Sequence, residues 1–455
     1  MDSVFYTARK TIRNYANGGN VLIAATVLAL IVVNVPFTRD LYNSLWTHEI
    51  ALQVGNFNLF SHHGQPMSIM AFINDALMAL FFFSVGLEIK REVLVGELSS
   101  FRKAILPIIA AIGGMIVPVA LYYLMARGTD YVGGAAIPMA TDIAFSLGVL
   151  AMLGNRVPIG LKVFLTTLAV VDDIGGILVI AIFYSTEISF ALLGYAAICL
   201  AVLFIGGKLI GIQSKLFYVI IGAFVWFFFL NAGIHPTIAG VLVAFCVPSR
   251  PVYAPKKYIK IIRKNIGFFA QENDETLEKR SILSKEQMNL LKEIESSSDK
   301  VISPLQDMED SLHPLVNYII VPLFAFANAG IYFGEMSVSQ LFHGIAPAIM
   351  VGLILGKFLG IFSFSAICIL LKLAPMPSGS NWARLASISM LGGIGFTVSL
   401  FIANLSFGGM GAHMHELLND AKLGILVGSL IAGFLGWLAL HITLPKQPVS
   451  DPDDI

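Results

Sequence analysis

Apolar runs of bilayer-crossing length recur along almost the whole chain. That restricts it to membrane helices or a closed barrel, the two forms that satisfy every backbone group inside lipid. A helix needs about 20 mostly apolar residues for the crossing and a tilted strand about 10, and the runs here have the helical length. Twelve segments qualify: 20–37, 70–89, 103–126, 131–153, 159–184, 188–208, 215–230, 233–248, 313–332, 343–371, 384–408 and 420–442. With 56% hydrophobic and only 13% charged residues, the chain reads as an all-α polytopic membrane protein of twelve transmembrane helices, not as a string of soluble domains.

Charge between the runs sets their direction. Lys90, Arg91, Arg102 and Lys103 follow the second span, Arg156 and Lys162 the fourth, Lys208 and Lys215 the sixth, Lys372 and Arg384 the tenth. Alternate connections carry few, so the positive-inside rule puts the basic ones and both termini on the cytoplasmic side. The formal net charge of zero offers no field for nucleic acid. Cys199, Cys246 and Cys368 lie in apolar spans without metal-ligand spacing and read as packing residues. No clear small-residue cleavage site follows Lys10 and Arg13, so the first run reads as a retained span.

On this reading residues 1–248 hold spans one to eight, 313–443 spans nine to twelve, and 444–455 a cytoplasmic tail. A polar insertion, 249–312, separates the two groups. It is basic at Lys256, Lys257, Lys260, Arg263 and Lys264, turns acidic later, and reads as a solvated cytoplasmic loop. Within it Leu290, Leu291 and Ile294 have the spacing of one short amphipathic helix. In the first outward loop, Leu52 to Leu59 alternates around Gly55-Asn56, the pattern of a β-hairpin near 50–60 whose exposed edge can pair with a second copy.

Four charges interrupt the apolar spans at mid-depth. Asp172 and Asp173 are the tenth and eleventh residues of Val163–Phe183, Asp142 is the twelfth of Tyr131–Leu153, and Lys357 is the fourteenth of Gly344–Leu371. Each costs about 2.5–3.5 kcal/mol at a bilayer centre, so each requires a partner or a purpose. An acid and a lysine that merely neutralise one another are a packing device, but three carboxylates against one ammonium leave a net negative cluster. Such a cluster attracts a cation or retains protons. Adjacent helical residues point about 100° apart, so Asp172 and Asp173 cannot both face Lys357. Pro138 weakens the span that carries Asp142, and Gly392, Gly393 and Gly395 mark a second interrupted span at 384–408. Glycines by themselves also fit close helix packing. Spans three to five and ten to twelve run in opposite senses, each with an interrupted middle helix, which is an inverted-repeat transporter pattern. A sodium-coupled symporter calls for a roomier polar cavity. An intramembrane aspartyl protease calls for acids on separate helices, and a passive channel has no use for a fixed lysine.

Several stretches are similar to the NhaA family of bacterial sodium/proton antiporters. They are Asn74-Asp75-Ala76-Leu77-Met78-Ala79, Val85 to Glu92, Ala110 to Met115, Ala140-Thr141-Asp142-Ile143-Ala144-Phe145, Val171-Asp172-Asp173-Ile174-Gly175, Pro322 to Gly330, Gly356-Lys357 and Gly393-Ile394-Gly395-Phe396-Thr397. The resemblance implies inverted repeats with two discontinuous crossing helices and a homodimer in the bacterial inner membrane. It implies a secondary active transporter, not an enzyme, without a cofactor, expelling Na⁺ or Li⁺ against inward H⁺ in an electrogenic, pH-regulated exchange. It further implies Asp173 as the principal cation ligand and Asp172 as ligand or proton carrier paired with Lys357, with Asp142 and Thr141 at the crossing as further oxygens for the ion. Glu88, Glu92, His235, Glu309 and His313 match the groups of the family's pH response. Gln306 and Asp307 stand where the family's best-known members carry basic residues.

Overall fold

Large apolar side chains, among them Ile31, Phe183, Phe190, Leu209, Phe434 and Ile442, cover the outside of the helices, while Asp142, Asp172, Asp173 and Lys357 are buried. This inverts the soluble pattern and makes lipid the solvent. The computed structural model describes residues 18–55, 57–62, 64–185, 188–251, 255–269, 284–335, 338–409 and 411–445. Among the described residues eight helices are long and apolar enough to cross a membrane: Ile69–Leu94, Phe101–Ala126, Val132–Ala151, Ile159–Phe183, Phe190–Ile210, Pro304–Asn328, Ile345–Leu370 and His413–Thr443. Two bent pairs raise the number to ten, Gly18–Asn34 with Pro36–Thr47 at 113° and Trp382–Leu391 with Phe396–Phe407 at 45°. The apolar helices Lys215–Asn231 and Thr237–Cys246 are shorter. Length and composition therefore support eight to ten spans where the sequence suggested twelve. The chain is a polytopic membrane protein.

Local chemistry explains the irregularities. Val35 is extended, with φ −85° and ψ 121°, because Pro36 follows it, and the proline then opens a new helix where its missing N–H is harmless. Pro322 cannot donate back along its helix, and a π-helical segment, Val316–Ile320, lies just before it. A second such segment, Gly352–Gly356, immediately precedes Lys357. Glycine sets how closely that helix approaches its neighbour. A Cβ on Gly360 would strike the Gly113 backbone, one on Gly356 would lie 2.6 Å from Pro118 Cα, and one on Gly352 would lie 2.6 Å from Pro138 Cβ. In lipid such small-residue contacts take over the role that hydrophobic burial plays in water.

Gln53–Val54 pairs antiparallel with Phe57–Asn58, with Gln53 opposite Asn58, and Gly55 takes a left-handed φ of 61°. Ser61–His62 and Glu49–Ile50 flank Gln65–Ser68 in a second, three-stranded sheet that the sequence reading did not anticipate.

The insertion departs from the expected loop. Two helices, Pro255–Phe269 and Lys285–Asp299, pack on each other, the second opened by a capping box between Ser284 and Gln287. Each is marginal alone in water, and mutual burial supplies what propensity does not. The boundary drawn at 312 falls inside the continuous helix Pro304–Asn328.

Candidate ion-binding site

Two helix breaks lie side by side and satisfy each other. The first runs from Ala140 to Asp142, between the short turn Ile137–Met139 and the helix Ile143–Ala151; the second lies between Leu391 and Phe396. Breaking a helix frees N–H and C=O groups that have no water to meet in a bilayer. Asp142 N–H donates to the Ile394 carbonyl at 2.7 Å. The Ser146 hydroxyl donates to Leu391 at 3.2 Å, and the Ser399 hydroxyl returns the favour to Ile137 at 2.8 Å. Asp142 spans both breaks. Its Oδ1 caps its own helix by accepting from Phe145 N–H at 3.0 Å, while Oδ2 accepts from Thr397 N–H at 3.0 Å and from the Thr397 hydroxyl at 2.5 Å. A carboxylate at two helix N-termini is also favoured by both dipoles.

Beside the breaks stands the charge cluster. Lys357 Nζ donates to Asp172 Oδ2 at 2.5 Å and to Thr141 Oγ1 at 2.9 Å. The single Thr141 proton has two acceptors in reach, Asp172 Oδ2 at 2.6 Å and the Gly392 carbonyl at 2.9 Å. Asp172 Oδ1 is buried with no hydrogen-bond partner among the described residues. The adjacent Asp173 has different surroundings. It borders a cavity of about 620 Å³ that also touches Thr141, Asp142, Glu88, Arg91, Glu309 and His313. Among the described residues no three His, Cys, Asp or Glu side chains converge to hold a metal ion, so the three aspartates do not form a ready cage.

Of the other residues singled out in the sequence, Glu88, Glu309 and His313 border the same cavity. Arg91 connects a fourth, Glu92 at 3.1 Å, to Glu309 at 3.0 Å. His235 is elsewhere. Its Nδ1 lies 2.8 Å from Thr237 Oγ1, its Nε2 lies 3.7 Å from Asp75, and its ring stands edge-on to Phe401. Sequence reasoning missed a relay of amides in which Asn404 donates to Asn328 and Asn328 to Asn74, each at 2.9 Å. Their polarity within apolar spans was the available signal. It also missed Ser146, Ser399 and Thr397, whose hydroxyls look ordinary until the two breaks are adjacent.

The family model described as "Na+/H+ antiporter 1" matches residues 9–440. A relative from Phocaeicola vulgatus named "Na(+)/H(+) antiporter NhaA" is 53% identical over 98% of this chain and 98% of its own. Relatives of the same name from Parabacteroides distasonis and Bacteroides thetaiotaomicron are 51% identical, over 99% of this chain and 100% of the relative, and 50% identical, over 97% and 99%.

Proposed function

The chain belongs to the Na+/H+ antiporter 1 family, and on that premise we propose that its exchange of Na⁺ for H⁺ runs through Asp173 and Asp172. The carrying observation is the unlike setting of these neighbours, Asp173 at the cavity and Asp172 held by Lys357 and Thr141. A cation arriving through the cavity meets Asp173 first and draws in Asp172 as Lys357 and Thr141 release it. Protonation of the two carboxylates then expels the ion, and this mutual exclusion is the exchange. Hard oxygen ligands suit Na⁺ and Li⁺. The Thr141 hydroxyl and Asp142 Oδ1, which caps its own helix, supply further oxygens.

The same reading adds Lys215–Asn231 and Thr237–Cys246 to the ten longer candidates, giving twelve spans with inverted repeats and two discontinuous crossing helices. Spans one to eight lie in 1–248 and nine to twelve in 313–443. Both termini and the insertion face the cytoplasm across a bacterial inner membrane. The protein acts as a secondary active transporter without a cofactor and as a homodimer joined through the Gln53–Asn58 strands. Its exchange is electrogenic and pH-regulated, with Glu88, Glu309 and His313 acting at the cavity, Glu92 acting through Arg91 and His235 apart from it.

The test uses everted vesicles with an imposed proton gradient, into which NaCl, LiCl or KCl is added while a pH dye is followed. The parent protein dequenches the dye with Na⁺ and Li⁺. Asp173→Asn abolishes that response while the purified protein keeps its thermal unfolding profile; parental exchange by this variant overturns the assignment.

A further inference from the structure

The basic start of the insertion folds into a helix with an uncompensated face. Along Pro255–Phe269, a turn of about 100° per residue places Arg263, Lys256, Lys260, Lys264 and Lys257 in a single arc of about 120°. Exposed Ile259 and Ile266 border the arc on one side and exposed Phe268 on the other. The opposite face carries buried Asn265 and half-buried Tyr258, Ile261 and Ile262. That face is turned to Lys285–Asp299, since Lys300, at the end of that helix, rests 5.3 Å from the centre of the Tyr258 ring. Among the described residues none of the five cations is in an ion pair; Lys257 and Lys264 lie only over the rings of Tyr258 and Phe268.

The helix also starts close to the end of the apolar helix Thr237–Cys246. Val247, just past the end of Thr237–Cys246, gives its carbonyl to Lys90, and Pro248 gives its carbonyl to Leu305 N–H at 3.1 Å. Residues 249–254 are then the whole tether, at most roughly 20 Å when fully extended.

We propose that the exposed face of Pro255–Phe269 docks on an anionic phospholipid surface. The cations meet headgroup phosphates, and Ile259, Ile266 and Phe268 enter the interface beside them. Cations flanked by apolar side chains on a helix tied to a bilayer are the pattern of an interfacial helix. A soluble acidic partner would have no use for the apolar margins.

The experiment is hydrogen–deuterium exchange with mass spectrometry on the full-length protein in two nanodiscs, one of phosphatidylcholine alone and one with about 30% phosphatidylglycerol. Amides of 256–269 exchange about tenfold more slowly in the anionic disc. The difference shrinks in about 0.5 M KCl and disappears in the triple variant Lys256→Gln, Lys260→Gln, Arg263→Gln. These changes leave the buried face intact, and Ile159–Phe183 serves as an internal reference that exchanges alike in both lipids. Equal protection of 256–269 in the two discs overturns the proposal. So does protection already complete in the neutral disc and lost on changing Glu272, Asp274, Glu275 and Glu278 to glutamine, which would assign the cations to the chain's own acids.

Discussion

Asp172 has two oxygens in unlike circumstances, Oδ2 gripped by Lys357 and Thr141 and Oδ1 buried without a hydrogen bond among the described residues. The Asp172 and Lys357 side chains are 1% and 0% exposed, so solvent screens almost none of their attraction. Removing one partner of such a pair costs roughly 3–5 kcal/mol, because the other is left as an uncompensated charge, whereas replacing both can be nearly neutral. Lys357→Met is therefore expected to lower the thermal unfolding temperature of the purified protein sharply. Adding Asp172→Asn to it restores much of that loss, and a double variant no more stable than the single one refutes the pairing as a source of stability. The four mid-span charges were legible in the sequence because depth alone makes them costly. Their partners were not, since the Lys357–Asp172 contact joins residues 185 apart in the chain and no local spacing encodes it. The amides of Asn74, Asn328 and Asn404 escaped for the same reason.

At the scale of elements, each break is completed by the other. Ser146 and Ser399 each cap a carbonyl that the opposite break releases, and Asp142 serves two helix starts at once. Pro138 and the glycines at 392, 393 and 395 mark where helices weaken. They do not say that the weak points meet, which is a matter of packing between distant spans. Packing in turn depends on the glycine contact that seats the lysine-bearing helix. Gly360→Ala places a methyl group against the Gly113 backbone, which cannot yield as a flexible side chain does. Overpacking of this kind costs typically about 1–3 kcal/mol. The variant is expected to unfold at lower temperature and to exchange more slowly, since Lys357 rides on the displaced helix. Gly194→Ala, whose new methyl meets nothing within 4 Å, is the control and leaves both measurements unchanged; equal behaviour of the two variants defeats the packing argument. Of the insertion helices, the spacing of Leu290, Leu291 and Ile294 pointed to the second, and only the first went unanticipated. Short amphipathic helices draw most of their stability from packing, and the partner that Pro255–Phe269 packs on lies in a separate stretch of the chain.

For the whole molecule, the roles proposed for Asp173 at the cavity and Asp172 beside it on the same helix predict a stoichiometry. If both carboxylates are ionised when Na⁺ is bound and both protonated when it is absent, two protons enter for each sodium ion that leaves, and one net positive charge moves inward per cycle. A membrane potential then drives the exchange by about 2.3 kcal/mol per 100 mV, equivalent to an approximately 50-fold sodium gradient at equal pH. In proteoliposomes with a potassium diffusion potential set by valinomycin and no pH difference, radioactive sodium should move uphill toward the positive side. Reversing the potassium gradient should reverse its direction. Indifference to the potential would mean one proton per sodium and would leave only one of the two acids titrating. Asp172→Asn separates the cases, because any exchange it retains has lost one of the two carboxylates proposed to titrate and is expected to lose its dependence on potential. A variant whose sodium flux still follows the potential as the parent's does would move the second proton away from Asp172 altogether.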